Sequence, residues 1–396
     1  MKVYRGEKVL VDGVGLKPAV VLVQGGKVVG VHDIDHPLEK DWKVVDTGSK
    51  VLMPGVVDSH VHINEPGRTD WEGFTTATRA AAAGGVTTLV DMPLNSIPPT
   101  TTINNLKTKV SAAAGQCWVD VGFWGGVIPG NSGNLKEMVH VGVPGFKCFL
   151  IHSGVDEFPA VTEEDLLLAL AQLKGTGASL LFHSESETGS EEQTGDPNNY
   201  STFLLSRPEE MELKAINLII ELARKTRVPC HIVHLSAASA LPAIRKARKE
   251  GIPLTVETCH HYLNLNSETI PNNATQFKCC PPIREKSNQD QLWEALVQGD
   301  IDMVVSDHSP CTPDLKLPGE KDFMNSWGGI SSLQFGLSLL WTGSRTRQFS
   351  LQDINRLLSL APAKLAGSTV LNISSVKLYI THLCPISKSK FNIYKS

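Results

Sequence analysis

Eight short apolar runs recur between residues 55 and 306, and helical patterns separate most of them. The runs are 55–62, 86–92, 118–123, 145–150, 179–183, 230–235, 253–258 and 303–306. Near-continuous apolar runs suit parallel strands that are covered on both faces. Helical patterns at 74–83, 162–174, 209–224 and 238–250 supply crossover connections. The second of these opens on Glu163, Glu164 and Asp165, as a helix dipole favours. The expected fold class is therefore α/β, with eight strands closed into a (β/α)8 TIM-like barrel. Residues 1–53 have a different character. Short β-like stretches at 20–24, 27–31 and 42–45 are broken by Gly, Asp and Pro, which predicts a small antiparallel β unit. The expected domains are 1–53, a barrel at 54–367 and a tail at 368–396.

Totals exclude several roles. A formal charge of −4 argues against nucleic acid or an acidic membrane surface as partner. No apolar run is long enough to span a bilayer, and the N-terminus carries no apolar signal core. Eight Cys without a Cys-x-x-Cys pair read as reduced thiols of an intracellular protein, cytoplasmic by default.

Polar residues fall consistently at the ends of the expected strands, where barrel active sites lie. The first run ends in His60-Val61-His62. Side chains two apart share a strand face, so both imidazoles can reach one metal ion. Lys147 interrupts the fourth run. It either snorkels or pairs with a carboxylate, or it is a neutral amine that has taken up carbon dioxide as a metal-bridging carbamate. His183 ends the fifth run, and Asp307 follows the eighth. On the sixth run His234 is favoured over His231, which lies three positions earlier and faces the other way. His260, His261 and His308 are candidates for substrate contact or for supporting the ligands. Four imidazoles, a carboxylate and a bridging anion suit two divalent ions, with zinc the default and iron or manganese alternatives. Such a pair polarises a carbonyl and activates water, which implies hydrolysis of an amide-like C–N bond. No Gly-x-Ser-x-Gly elbow and no phosphate loop is present.

Seven stretches carry a resemblance: 58–74 (DSHVHINEPGRTDWEGF), 91–101, 145–150, 257–263 (ETCHHYL), 278–285 (KCCPPIRE), 304–311 (VVSDHSPC) and 326–334 (SWGGISSLQ). Together they resemble the cyclic amidohydrolases over residues 1–367, and within that family the allantoinase group most of all. The resemblance implies a barrel with a small β-sandwich domain and metal ligands at His60, His62, Lys147, His183, His234 and Asp307. It implies Asp307 as ligand and proton shuttle, a carboxylated Lys147, opening of the hydantoin ring of allantoin to allantoate, and a homotetramer. Dihydroorotases of the family usually carry Arg where this chain has Asn64, and hydantoinases Tyr where it has His152. A neutral amide suits an uncharged ureide better than an anion. Arg68, Asn95, Cys280, Trp327 and Gly328 lie in matching motifs and are substrate-side candidates. The alternatives are a dihydropyrimidinase-like hydantoinase and a non-catalytic assembly protein, the latter disfavoured because all six ligands are present. The resemblance stops near Gly367, so the tail is expected to be atypical, leaving the β-sandwich incomplete and the chain a truncated form of low solubility and activity; the alternative is a divergent tail that still supplies a strand, for instance at 376–380.

Overall fold

The computed structural model describes residues 1–189, 194–317, 319–367 and 378–381. The N-terminal strands are β1 (Lys2–Val11), β2 (Gly15–Gln24), β3 (Lys27–Asp33), β4 (Lys43–Asp46) and β5 (Val51–Pro54). Gly25 and Gly26, both at positive φ, make the two-residue turn from β2 into β3. β1–β2 and β2–β3 are antiparallel, but β4 and β5 pair with β1 in parallel. The unit is thus mixed rather than purely antiparallel, because the chain crosses back after β3 instead of turning tightly. The apolar run into residue 62 is also divided: β5 belongs to this small sheet, and the barrel begins after Gly55.

The barrel strands are β6 (Val56–Val61), β7 (Val86–Asp91), β8 (Asp120–Phe123), β9 (Gly125–Gly126), β10 (Gly145–Phe149), β11 (Ser179–His183), β12 (Cys230–Ile232), β13 (Leu254–Cys259) and β14 (Met303–Val305). Neighbours pair in parallel, with β6-β7-β8 as one ribbon and β9 to β14 as another. The third expected strand is shifted and broken. Trp118 is exposed and outside it, and Trp124 separates β8 from β9. The Trp124 indole N–H donates to the Ser59 carbonyl at 2.8 Å, which ties the break to β6. The seam between β6 and β14 closes through a parallel bridge of Val61 with His308, and the His62 N–H donates to the His308 carbonyl at 2.8 Å. Asp58 reinforces the seam by accepting from the backbone N–H groups of His60 and Ser306 at 3.2 and 3.3 Å.

Helices pack their apolar stripes on this barrel. Ala77 and Ala81, Leu166 and Leu170, and Ile216, Ile219 and Ala223 all enter one core. The helix Glu163–Leu173 starts where its acidic first turn predicts, in a capping box between Thr162 and Asp165. Among the described residues no helix is long and apolar enough to cross a membrane.

A buried ion pair fixes the second strand end. Lys109 Nζ donates to Asp91 Oδ2 at 2.6 Å, and Asp91 Oδ1 accepts the Ile63 N–H at 2.8 Å. Both side chains are fully buried. Lys109→Met leaves Asp91 buried without its countercharge and is expected to destabilise the fold by about 3–5 kcal/mol. Denaturant unfolding with an unchanged m-value measures this, and a shift below about 1 kcal/mol would refute it.

The tail departs from expectation. β15 (Leu378–Thr381) pairs antiparallel with β5, Leu378 opposite Pro54 and Thr381 opposite Val51. A strand of this chain therefore extends the small sheet, as the alternative reading of a strand at 376–380 has it, because β5 offers a free edge there. The rest of the tail lies outside the described residues.

Candidate metal centre

Strand geometry delivers six donors to one end of the barrel. His60 and His62, Lys147 of β10, His183 at the end of β11, His234 beyond β12 and Asp307 beyond β14 all line one cavity of about 520 Å³. The rings of His60 and His62 are 5.6 Å apart between centroids, those of His60 and His234 5.5 Å, and those of His183 and His234 4.6 Å. Asp307 Oδ1 lies 3.1 Å from His60 Nε2 and 3.5 Å from His62 Nε2. His60, His62 and Asp307 present donor atoms within 4.8 Å of one another. His234 and Asp307 adopt left-handed backbone, φ +40° and +45°. For non-glycine residues this is strained by about 1–3 kcal/mol each, and it aims both side chains back across the barrel mouth.

Buried partners orient the rings. Glu257 Oε1 sits 2.5 Å from His60 Nδ1 and accepts the His234 N–H at 3.3 Å, while Glu257 Oε2 lies 3.1 Å from His231 Nε2. His231 is held on its other side by the Thr255 hydroxyl at 2.8 Å and does not line the cavity. Glu185 Oε2 joins His183 Nε2 to Arg207 Nη1, both at 2.7 Å. The Asn95 amide lies 3.3 Å from His62 Nδ1.

Electrostatics favour metal-binding forms. Burial lowers the pKa of His62 and His183 and holds His234 well below the ordinary value, so these rings keep a free lone pair. His234 Nδ1 is buried with no hydrogen-bond partner. Burial also brings Lys147 down to about 8, against the pull of Asp307 and Glu257. Among the described residues no carboxylate forms an ion pair with Lys147, whose Nζ lies 5.1 Å from the Phe149 ring centroid. Burial disfavours the Asp307 charge, but His60, His62 and His234 outweigh it and hold the carboxyl well below its usual range. Imidazoles around an ionised carboxylate are the donor set of a divalent borderline ion.

The substrate-side candidates divide. Asn95, Cys280, Trp327 and Gly328 line the cavity, as does His152. Arg68 does not. Its guanidinium is engaged by Glu157 and by the Asn95 carbonyl at 2.8 Å, and it lies 5.1 Å from the Trp71 ring, so it positions Asn95 instead. Asn64 is buried off the cavity, with its amide donating to the Pro310 carbonyl at 3.2 Å. His308 bonds Glu72 at 2.7 Å and accepts from the Ser332 N–H, and His260 also lies off the cavity. Sequence reasoning missed Glu257, Glu185, Arg207 and Lys278. Glu185 follows His183 closely, and Glu257 and Lys278 open the stretches 257–263 and 278–285, but only as motif members; nothing in the sequence marks Arg207.

Comparison with known proteins agrees with this geometry. Residues 51–370 match the model of the amidohydrolase family. The chain is 58% identical over 348 residues to the mitochondrial allantoinase of Aquarana catesbeiana, covering 88% of this chain and 72% of that protein. It is 50% identical over 355 residues to the allantoinase of Streptomyces avermitilis, covering 89% and 79% respectively. Among solved structures, the L-hydantoinase (dihydropyrimidinase) from Arthrobacter aurescens superposes with a TM-score of 0.85 at 28% identity, over 92% of this chain and 82% of that one.

Proposed function

The chain belongs to the amidohydrolase family, and from that premise we propose that it hydrolyses the cyclic amide bond of allantoin to give allantoate. The observation that carries the chemistry is the convergence of four imidazoles, Lys147 and Asp307 on one cavity at the strand ends. The substrate follows from relatives named as allantoinases at 43–58% identity over most of the chain.

Two zinc ions are proposed as cofactors: His60, His62 and Asp307 would hold one and His183 and His234 the other, with a carboxylated Lys147 completing the donor set. Such ions supply Lewis acidity toward the ring carbonyl and lower the pKa of water. The chain's own residues do the rest. Asp307, ionised and at the mouth, accepts the proton of the attacking water and returns it to the ring nitrogen as the C–N bond breaks. Glu257 and Glu185 hold the tautomers of His60 and His183. Asn95, Cys280, Trp327 and Gly328 bound the substrate, while Arg207 and Lys278 put positive charge on the wall where the product carboxylate forms. Assembly as a homotetramer is proposed from the family resemblance, and light scattering reads it directly.

Purified protein is expected to open allantoin and to carry about two divalent ions per chain. Chelation should abolish turnover, and zinc should restore it. Turnover of dihydrouracil with none of allantoin would favour a dihydropyrimidinase-like enzyme, and folded protein without metal or turnover would favour a non-catalytic role.

A further inference from the structure

Beside the six-donor set lies a second convergence of ligand atoms. Cys259 closes β13, His261 follows in the short helix His260–Asn264, and Asp307 stands beyond β14, the neighbouring strand. The Cys259 sulfur, a His261 ring nitrogen and an Asp307 oxygen all lie within 4.8 Å of one another. Cys259 is fully buried and His261 nearly so. Neither ring nitrogen of His261 has a hydrogen-bond partner, although both are buried. Buried polar atoms are nearly always paired, so an imidazole with both nitrogens unpaired points to a ligand. His234 and His260 each leave only Nδ1 buried and unpartnered, and His60 and His231 share Glu257, so His261 alone among these histidines has both nitrogens buried without a partner.

We infer that Cys259, His261 and Asp307 form an additional site for a soft divalent ion, sharing Asp307 with the catalytic set. A thiolate beside an imidazole selects zinc or cadmium over magnesium and calcium. Binding releases the thiol proton to solvent as the sulfur–metal bond forms. The carboxylate has two oxygens, one of which faces His60 and His62, so an ion on the β13 side draws Asp307 away from them. Excess soft metal therefore inhibits hydrolysis. That consequence rests on the role proposed above for Asp307, whereas the binding itself does not.

The test is a cadmium titration of the metal-loaded protein, read by the ultraviolet cadmium–thiolate absorption and by allantoin turnover. The wild-type protein should gain the absorption as turnover falls. Cys259→Ser should lose the absorption and need roughly tenfold more cadmium for half-inhibition. Cys280→Ser, whose thiol borders the cavity, should keep the absorption. Absorption that survives in Cys259→Ser, or vanishes in Cys280→Ser, overturns the site. Should Cys259→Ser melt early, His261→Asn serves instead, and it should keep the thiolate absorption while weakening cadmium binding roughly tenfold. Unchanged cadmium affinity in that variant also overturns the site. Cadmium absorption in a protein that never opens allantoin would sink the proposed hydrolysis and leave the site standing.

Discussion

Asp307→Asn is expected to lower allantoin turnover by about 10²–10⁴-fold, the range a positioned acid–base group supplies. The substitution isolates proton transfer. Asn keeps the shape of Asp and an oxygen for the metal, but its amide cannot accept the proton of the attacking water. It also tolerates the left-handed backbone at φ +45°, where most other residues would strain the strand end. The fold and much of the metal content should therefore survive, and the loss should fall on kcat rather than KM. Turnover within about threefold of wild type would remove Asp307 from the mechanism.

Glu257→Gln should weaken metal retention by about 10–100-fold, although Glu257 touches no metal in the proposed arrangement. One carboxylate meets His60, His231 and the backbone of His234, and so serves both proposed subsites at once. Gln preserves the size and loses the charge that fixes His60 with Nε2 toward the cavity. Burial alone would raise this carboxyl, but His60 and His231 hold it down to about 2, from an ordinary 4.5. A depressed carboxyl stabilises the fold when ionised. Its contribution is complete above pH 4.5 and is lost as pH falls toward 2. Metal content after dialysis against graded chelator measures the effect, and retention equal to wild type would refute it.

The contrast between these two residues shows what a sequence reveals. Asp307 was legible because an apolar run delivers it to a strand end, and the same pattern marks His60, His62, Lys147, His183 and His234. Glu257 was not. It sits inside the buried strand β13, and its partner His60 is 197 residues away, so nothing local marks the pairing. Arg68 misled for a related reason: motif membership does not tell a side chain facing the cavity from one clamping the loop behind it. Asn64 likewise has its amide turned toward Pro310. The barrel was readable from alternating strands and helices, but the break at Trp124 was not, since it depends on an indole reaching Ser59 across the interior. The tail strand was legible only as the lesser alternative at 376–380, because edge pairing with β5 is set by an available partner more than by the four residues that pair.

The seam at β6 and β14 has one more implication. The hydrogen bond that closes the β6–β14 seam runs from His62 to His308, so pairing across this seam also brings His60 and His62 against Asp307. Closure and assembly of the site are then a single cooperative event. A partly folded barrel, open at this seam, holds no complete donor set. In a hydrogen-exchange measurement the His62 amide is expected to fall in the slowest class, released only by global opening.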